Sequence, residues 1–294
     1  MSERNLLNKR QCIASIIIVM LGIMWMSGCI FRGKDSELHD DAGVVASLDI
    51  DKSDMQEIYA GNQIHNEIIA RFYPYQNPQL KEYINEIGFS LVEHAERKAL
   101  PYQFTILHDE RIYATAAPGG YIYVTTGLLY FVENEAELAA VIAHEIARIQ
   151  YRSPRYSDTK KFFESLSQGS MMIGPMFGPY GALAAMGIQL VSLFATSEKS
   201  LESQIVKADR LTLEYMVLSE YDPQGLIDFL YKILYSDDMQ GRMLLHYLAS
   251  HPISMSRLDA IEKHFNSLPM RGKTFSVNRD RFIEITRSVR DIYQ

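Results

Sequence analysis

Apolar residues recur at helical spacing in two early stretches, first at Ile58, Ile64, Ile68 and Ile69, then at Leu80, Tyr83, Ile84, Ile87 and Leu91. The Tyr73 to Pro78 segment punctuates them, so the pattern predicts two opening helices. The period then changes. Phe104 and Ile106 alternate with Thr105 and Leu107, and Tyr121 to Thr126 alternates again, while Pro118-Gly119-Gly120 forces a turn between the two runs. These are expected to be strands, with Tyr121 to Thr126 the candidate sheet edge. A helix is predicted from Asn134 through Leu138, Val141, Ile142 and Ile149, with Asn134 capping the backbone and Glu137 reaching back. Pro175 and Pro179 break the first half of a Met-, Gly- and Ala-rich run from Met171 to Ala195. The second half, from Gly181, is too short to span a bilayer and reads as a buried helix leading to the helix that carries Asp209. Near the end, Thr274 to Val277 predicts a short strand. Asp280 to Tyr293 predicts one amphipathic helix bearing Phe282, Ile283, Ile285, Val289 and Ile292.

Composition adds a compartment. Arg4, Lys9 and Arg10 precede an apolar run from Ile13 to Trp25, and the run ends in Met26-Ser27-Gly28-Cys29. This is the layout of a secretory signal peptide over residues 1–28. The apolar run is shorter than the roughly 20 residues of a spanning helix. Small residues before a cysteine resemble a lipobox, which implies cleavage after Gly28 and a lipid on Cys29. Ile30 in place of an aspartate implies, by resemblance to bacterial sorting rules, the outer membrane, with the folded part facing the periplasm. Residues 29–53 turn polar and aperiodic and are expected to be a flexible tether. Cys12 is the only other cysteine and leaves with the signal, so the mature chain forms no internal disulfide. The full chain carries a net charge of −7, and losing the basic leader makes the remainder more acidic, which disfavours nucleic acid as a partner. An apolar fraction of 47% and no solenoid-period repeat suit one large domain, residues 54–270, with a strand-helix extension over 271–294.

The chemistry centres on His144-Glu145-Ile146-Ala147-Arg148 in the middle of the Asn134 helix. Metal-binding helices place two histidines at i and i+4 because those positions share a face, and the glutamate between them can polarise a metal-bound water. Here the i+4 position is Arg148. A bare His-Glu pair is common by chance, and alone it reads as a satisfied histidine beside a surface acid.

Several blocks together resemble metallopeptidase family 48, of gluzincin type. They are Glu57 to Gly61, Tyr83 to Gly88, Ala116 to Val124, Gly127-Leu128-Leu129 and Glu133 to Glu145, followed by Ala208-Asp209-Arg210, Tyr221-Asp222-Pro223 and Ser250-His251-Pro252 with Arg257. The resemblance implies an α+β, mainly helical zincin-like domain with a small β-sheet. It implies zinc held by two histidines and a glutamate on a later helix, with an aspartate orienting the first histidine. By that correspondence His144 is the retained ligand, Glu145 the general base, and Asp209 the orienting residue. Arg148 and Ile205 stand at two ligand positions and cannot bind zinc. Tyr113, Thr115 and Ser153 also depart from the family pattern. A dication about 4 Å from the arginine would be repelled by roughly 8 kcal/mol at an effective dielectric of 20.

Relative to a working site, a dication and a carboxylate are lost and a guanidinium is gained, so the local charge is unchanged. Arg148 is therefore expected at the zinc position as a fixed cation for Glu145 and also for Asp209, with Ile205 filling the space of the lost glutamate. The expected function is a non-proteolytic chaperone or adaptor for unfolded or envelope proteins. Its clients would be held as an added strand along Tyr121, Ile122, Tyr123 and Val124. The alternative is an active metalloendopeptidase with His251 as substitute ligand beside His144 and Asp209.

Overall fold

The computed structural model describes residues 52–151, 198–236, 247–248 and 251–293, all within the unit Asp49–Gln294. The signal peptide, Cys29, nearly all of the tether, Ser153 and the Met171 to Ala195 run lie outside the described residues.

Helix α1, Lys52–Arg71, and helix α2, Pro78–Val92, are the two opening helices. Asn77 starts α2 by accepting from the Leu80 amide at 3.0 Å, with proline in the first turn, where a missing N–H costs nothing. Three strands follow: β1, Gln103–Leu107; β2, Ala114–Ala117; and β3, Tyr121–Thr125. Their order is β1-β3-β2, with β1 parallel and β2 antiparallel to β3. The fold is thus mainly helical with a small mixed sheet, in the α+β class expected.

The expected edge is wrong. Tyr121, Ile122, Tyr123 and Val124 form the central strand, paired on both sides. Tyr121 and Tyr123 pack with Ile64 and Ile68 of α1, while Ile122 and Val124 face the main core. Both faces are covered, and the alternation in sequence reflects tyrosine against aliphatic rather than water against core. Among the described residues the edges are β1 and β2. The outer side of β1 is engaged near its end, where the Tyr75 amide donates to Ile106 O at 2.8 Å and the His108 amide to Tyr73 O at 2.9 Å. β2 left no sequence signal, because Ala-Thr-Ala-Ala has no alternation to read.

The turn before β3 explains two glycines. Gly119 and Gly120 adopt φ of 78° and 93°, a region that L side chains avoid. Gly61 of α1 lies against the same turn, where a Cβ would stand 1.9 Å from Pro118 O. The Gly119 amide also donates to Glu57 at 3.1 Å, so α1 and the turn are locked together.

Helix α3, Thr126–Phe131, leads to α4, Glu135–Tyr151, which is buried without interruption from Glu135 to Ile149. Asn134 caps it through the Glu137 amide at 2.9 Å, and the Glu137 carboxylate reaches back to the Glu133 amide at 3.0 Å. Around this central helix lie α5, Glu198–Leu218; α6, Gln224–Leu234; and α7, Met255–Phe265. The C-terminus differs from expectation. Thr274 to Val277 makes only a single bridge, Ser276 to Tyr221, and the predicted last helix is two, α8, Arg279–Ile285, and α9, Arg287–Tyr293. They meet at buried Thr286, whose hydroxyl donates back to Phe282 O at 2.7 Å, a bond that bends helices.

Candidate functional site

His144 and Arg148 lie one turn apart on α4, so they share a face, and Glu145 projects beside them. All three are at most 2% exposed, which is unusual for charged side chains unless each is paired. Asp209 comes from α5, and His251 from the segment that enters α7 through Pro252. Ser254 caps α7 and thereby sets Arg257 on its first turn.

Asp209 works from behind His144. Its Oδ1 lies 3.1 Å from His144 Nδ1, and Arg257 grips both of its oxygens, Nε to Oδ2 at 2.7 Å and Nη2 to Oδ1 at 2.8 Å. Burial opposes ionisation, but the Arg257 guanidinium and the His144 hydrogen bond outweigh it and hold the carboxyl well below the usual range. Nδ1 faces Asp209, which leaves His144 Nε2 as the ring nitrogen turned to the rest of the cluster. That atom is buried and has no hydrogen-bond partner among the described residues.

Glu145 occupies the other side of the cluster. Its Oε2 accepts from the Ala116 amide at 2.7 Å, and Arg148 Nη1 lies 3.1 and 3.3 Å from its two oxygens. His251 Nε2 is 2.6 Å from Oε1. Burial would raise this carboxyl, yet Arg148 and His251 bring it down to about 2. His251 moves the opposite way, for burial and then Arg148 push its imidazole down to about 3, so it is neutral. Its Nε2 also lies 2.5 Å from Arg148 Nη1. Since a guanidinium can only donate and a carboxylate can only accept, one imidazole nitrogen cannot serve both, and the Arg148–Glu145 pair is the fixed element of the junction.

The expectation for Arg148 therefore needs correcting in one respect. It neutralises Glu145 but does not reach Asp209, whose oxygens are taken by Arg257 and His144. Nor does Asp209 join His144 and His251 as a ligand set. The three groups that converge are His144, Glu145 and His251, whose ligand atoms all lie within 4.8 Å of one another and could hold a metal ion. Ile205 is buried on α5 one turn before Asp209 and offers no ligand atom. The sequence blocks contained Arg257 without revealing its role, and the Ala116 amide could not have been found before the strand order was known.

Arg148, where it stands, opposes a dication on the His251 side of this donor set. Zinc on His251 Nε2 sits at about 2.1 Å, and Nη1 is 2.5 Å from that nitrogen, so the cations would be at most about 4.6 Å apart. At an effective dielectric of 20 they repel by about 7 kcal/mol.

The antiparallel register places Tyr113 opposite Thr125 as a hydrogen-bonded pair, with the Thr125 amide donating to Tyr113 O at 3.1 Å. Ala114 and Ala116 are then the alternate residues whose backbone groups point away from β3. The outer edge of β2 thus runs beside Glu145, and Ala116 is the point of contact.

The profile of peptidase family M48 matches residues 77–264. The chain is 26% identical to the beta-barrel assembly-enhancing protease of Escherichia coli K12 over 239 residues, covering 80% of this chain and 48% of that one. It is 26% identical to the protein of the same name from Yersinia pestis over 273 residues, covering 86% and 54%. It is also 24% identical to the mitochondrial metalloendopeptidase OMA1 of Schizosaccharomyces pombe over 229 residues, covering 78% and 65%. The chain spans about half the length of the bacterial relatives it matches.

Proposed function

This chain belongs to peptidase family M48, and from that premise we propose that it is a lipid-anchored envelope protein whose metal centre has been converted to a guanidinium, leaving a non-proteolytic chaperone or adaptor. One observation carries the reading: Arg148 Nη1 lies 3.1 Å from Glu145 Oε1 and 2.5 Å from His251 Nε2, inside the group that would otherwise hold the metal. A Glu145 paired in this way is not poised to take a proton from water. The Met26-Ser27-Gly28-Cys29 pattern supports the anchor on Cys29 and a periplasmic domain tethered to the outer membrane, with the metallopeptidase-like domain from about residue 54. No helix among the described residues is long and apolar enough to cross a membrane. The names of the bacterial relatives point to assembly of β-barrel proteins as the setting, and we propose unfolded envelope proteins as clients.

The outer edge of β2, whose four residues are buried, replaces the Tyr121 to Val124 strand as the edge to which a client strand would be added. Backbone hydrogen bonds from Ala114 and its neighbours need no metal. Metal analysis of purified protein, with a casein digest run with and without chelator, tests the reading. Substoichiometric zinc and no chelator-sensitive cleavage are expected, and the double variant Arg148→His, Ile205→Glu should gain zinc. Stoichiometric zinc that disappears in His144→Ala overturns the proposal. That outcome belongs to the second reading, a zinc endopeptidase using His144 and His251, which draws on the partnerless His144 Nε2.

A further inference from the structure

Three arginines are buried among the described residues, Arg111, Arg148 and Arg257. Two of them present the same edge of the guanidinium, the fork made by Nε and Nη2, to a carboxylate. Arg257 does so to Asp209 at 2.7 and 2.8 Å. Arg111 does so to Asp109, with Nε at 2.8 Å from Oδ1 and Nη2 against Oδ2. Arg148 is different. Only its Nη1 is engaged, by Glu145 and His251, while Nε and Nη2 are buried with no hydrogen-bond partner among the described residues.

In the same region Nε2 of His144 is buried and partnerless among the described residues, and the buried Tyr113 hydroxyl has only the neighbouring Thr115 side chain to meet it. Tyr113 immediately precedes β2 and is within electrostatic reach of Glu145 and Arg148, while Ala116, three residues on, holds Glu145. The open inventory is thus two donor groups, Arg148 Nε and Nη2, and one acceptor, with the Tyr113 hydroxyl available beside them on the approach to β2. A planar fork with an added hydroxyl matches an anion that accepts at two coplanar oxygens. The acceptor on His144 suits a ligand that also carries an N–H or O–H.

Resting on the reading that Arg148 stands in place of the metal, we propose that its Nε/Nη2 fork, with the Tyr113 hydroxyl, binds a carboxylate group supplied by a peptide C-terminus or a small free acid. The site would recognise the end of a chain. A peptide lying along β2 beside Ala116 would bring its terminal carboxylate and last amide to these atoms together.

The test uses the full chain, with zinc content measured first on the same sample. Calorimetric titration then compares Ala-Ala-Ala as the free acid, the same tripeptide as its C-terminal amide, and acetate. The free acid is expected to bind saturably and the amide at least about tenfold more weakly, the scale of hydrogen bonds to a charged group. Arg148→Lys keeps the charge without the fork and should lose the distinction between acid and amide. Tyr113→Phe, which removes a single oxygen, should weaken the acid severalfold. A tripeptide that binds more tightly than acetate supports a peptide C-terminus as the source, and equal binding supports a small acid. Equal binding of acid and amide, no binding of any probe, or an Arg148→Lys variant that still discriminates overturns the inference. If either variant fails to fold, the acid-to-amide ratio of the unmodified chain decides alone. One zinc per chain overturns the functional reading itself, whereas a zinc-free chain without carboxylate preference overturns only this inference.

Discussion

At the scale of single residues the site is a balance of charges sealed from water. Arg148 and Arg257 each neutralise one carboxylate, and neither pair is exposed enough for solvent to take over if a partner is lost. Removing one member of a buried pair leaves the other charge uncompensated, at about 3–5 kcal/mol. Arg148→Leu should therefore lower the unfolding free energy by that amount in urea melts, and Arg148→Leu with Glu145→Leu should recover most of it. A single variant as stable as the parent would show that the pair is dispensable. The two carboxylates also predict acid sensitivity. Both have folded pKa values depressed below their ordinary ones, Glu145 from 4.5 to about 2 and Asp209 from 3.8 to lower still. Depressed acids stabilise the fold above the unfolded pKa and lose that contribution as protons are forced on below it. The urea midpoint should hold between pH 7 and about 5 and fall steeply from about 4.5 towards 2, with a shallower fall in Asp209→Asn. An unchanged midpoint down to pH 3 would contradict this.

At the scale of elements, the decisive relation is between β2 and α4. The Ala116 amide points away from β3, so Ala116→Pro removes the bond to Glu145 without cutting the β2–β3 ladder. The expected result is a folded protein weakened by about 1.5–3 kcal/mol, the net worth of a hydrogen bond to a charged group, with loss of any binding along β2. Proline at Tyr123 is a different experiment. It strikes the central strand, paired on both sides, and should abolish soluble expression. Soluble, folded Tyr123→Pro would mean the strand order is not as described. The contact between α1 and the turn before β3 is similarly unforgiving. Gly61→Ala puts a Cβ 1.9 Å from a backbone oxygen, and overpacking of that kind costs about 1–3 kcal/mol, readable as a lower Tm.

At the scale of the whole molecule, the C-terminal segment belongs to the core. Phe282 and Val289 are fully buried, and Glu135 at the start of α4 accepts from Asn278 at 2.6 Å while its amide donates to Val277 O at 3.1 Å. A chain ending at Lys273 should lose cooperative thermal unfolding, because the N-terminal turn of the central helix would lose its partners along with two core side chains. A sharp transition at the parental Tm would refute that. The periodicity of Ile58 to Leu91 and the Asn134 cap were legible because helices form from local contacts that repeat along the chain. The absence of a second histidine at Arg148 and of a carboxylate at Ile205 was legible for the same reason, since ligand identity is a property of sequence. Three things were not. Tyr121 to Thr125 could not be read as central, because a strand's alternation is the same whether its second face meets water or α1. The partner of Asp209 could not be read either, since Arg257 reaches it from another helix 48 residues away. The open fork of Arg148 emerges only when every neighbour has been placed, because a guanidinium with five donors shows which are unused only after folding has assigned the rest.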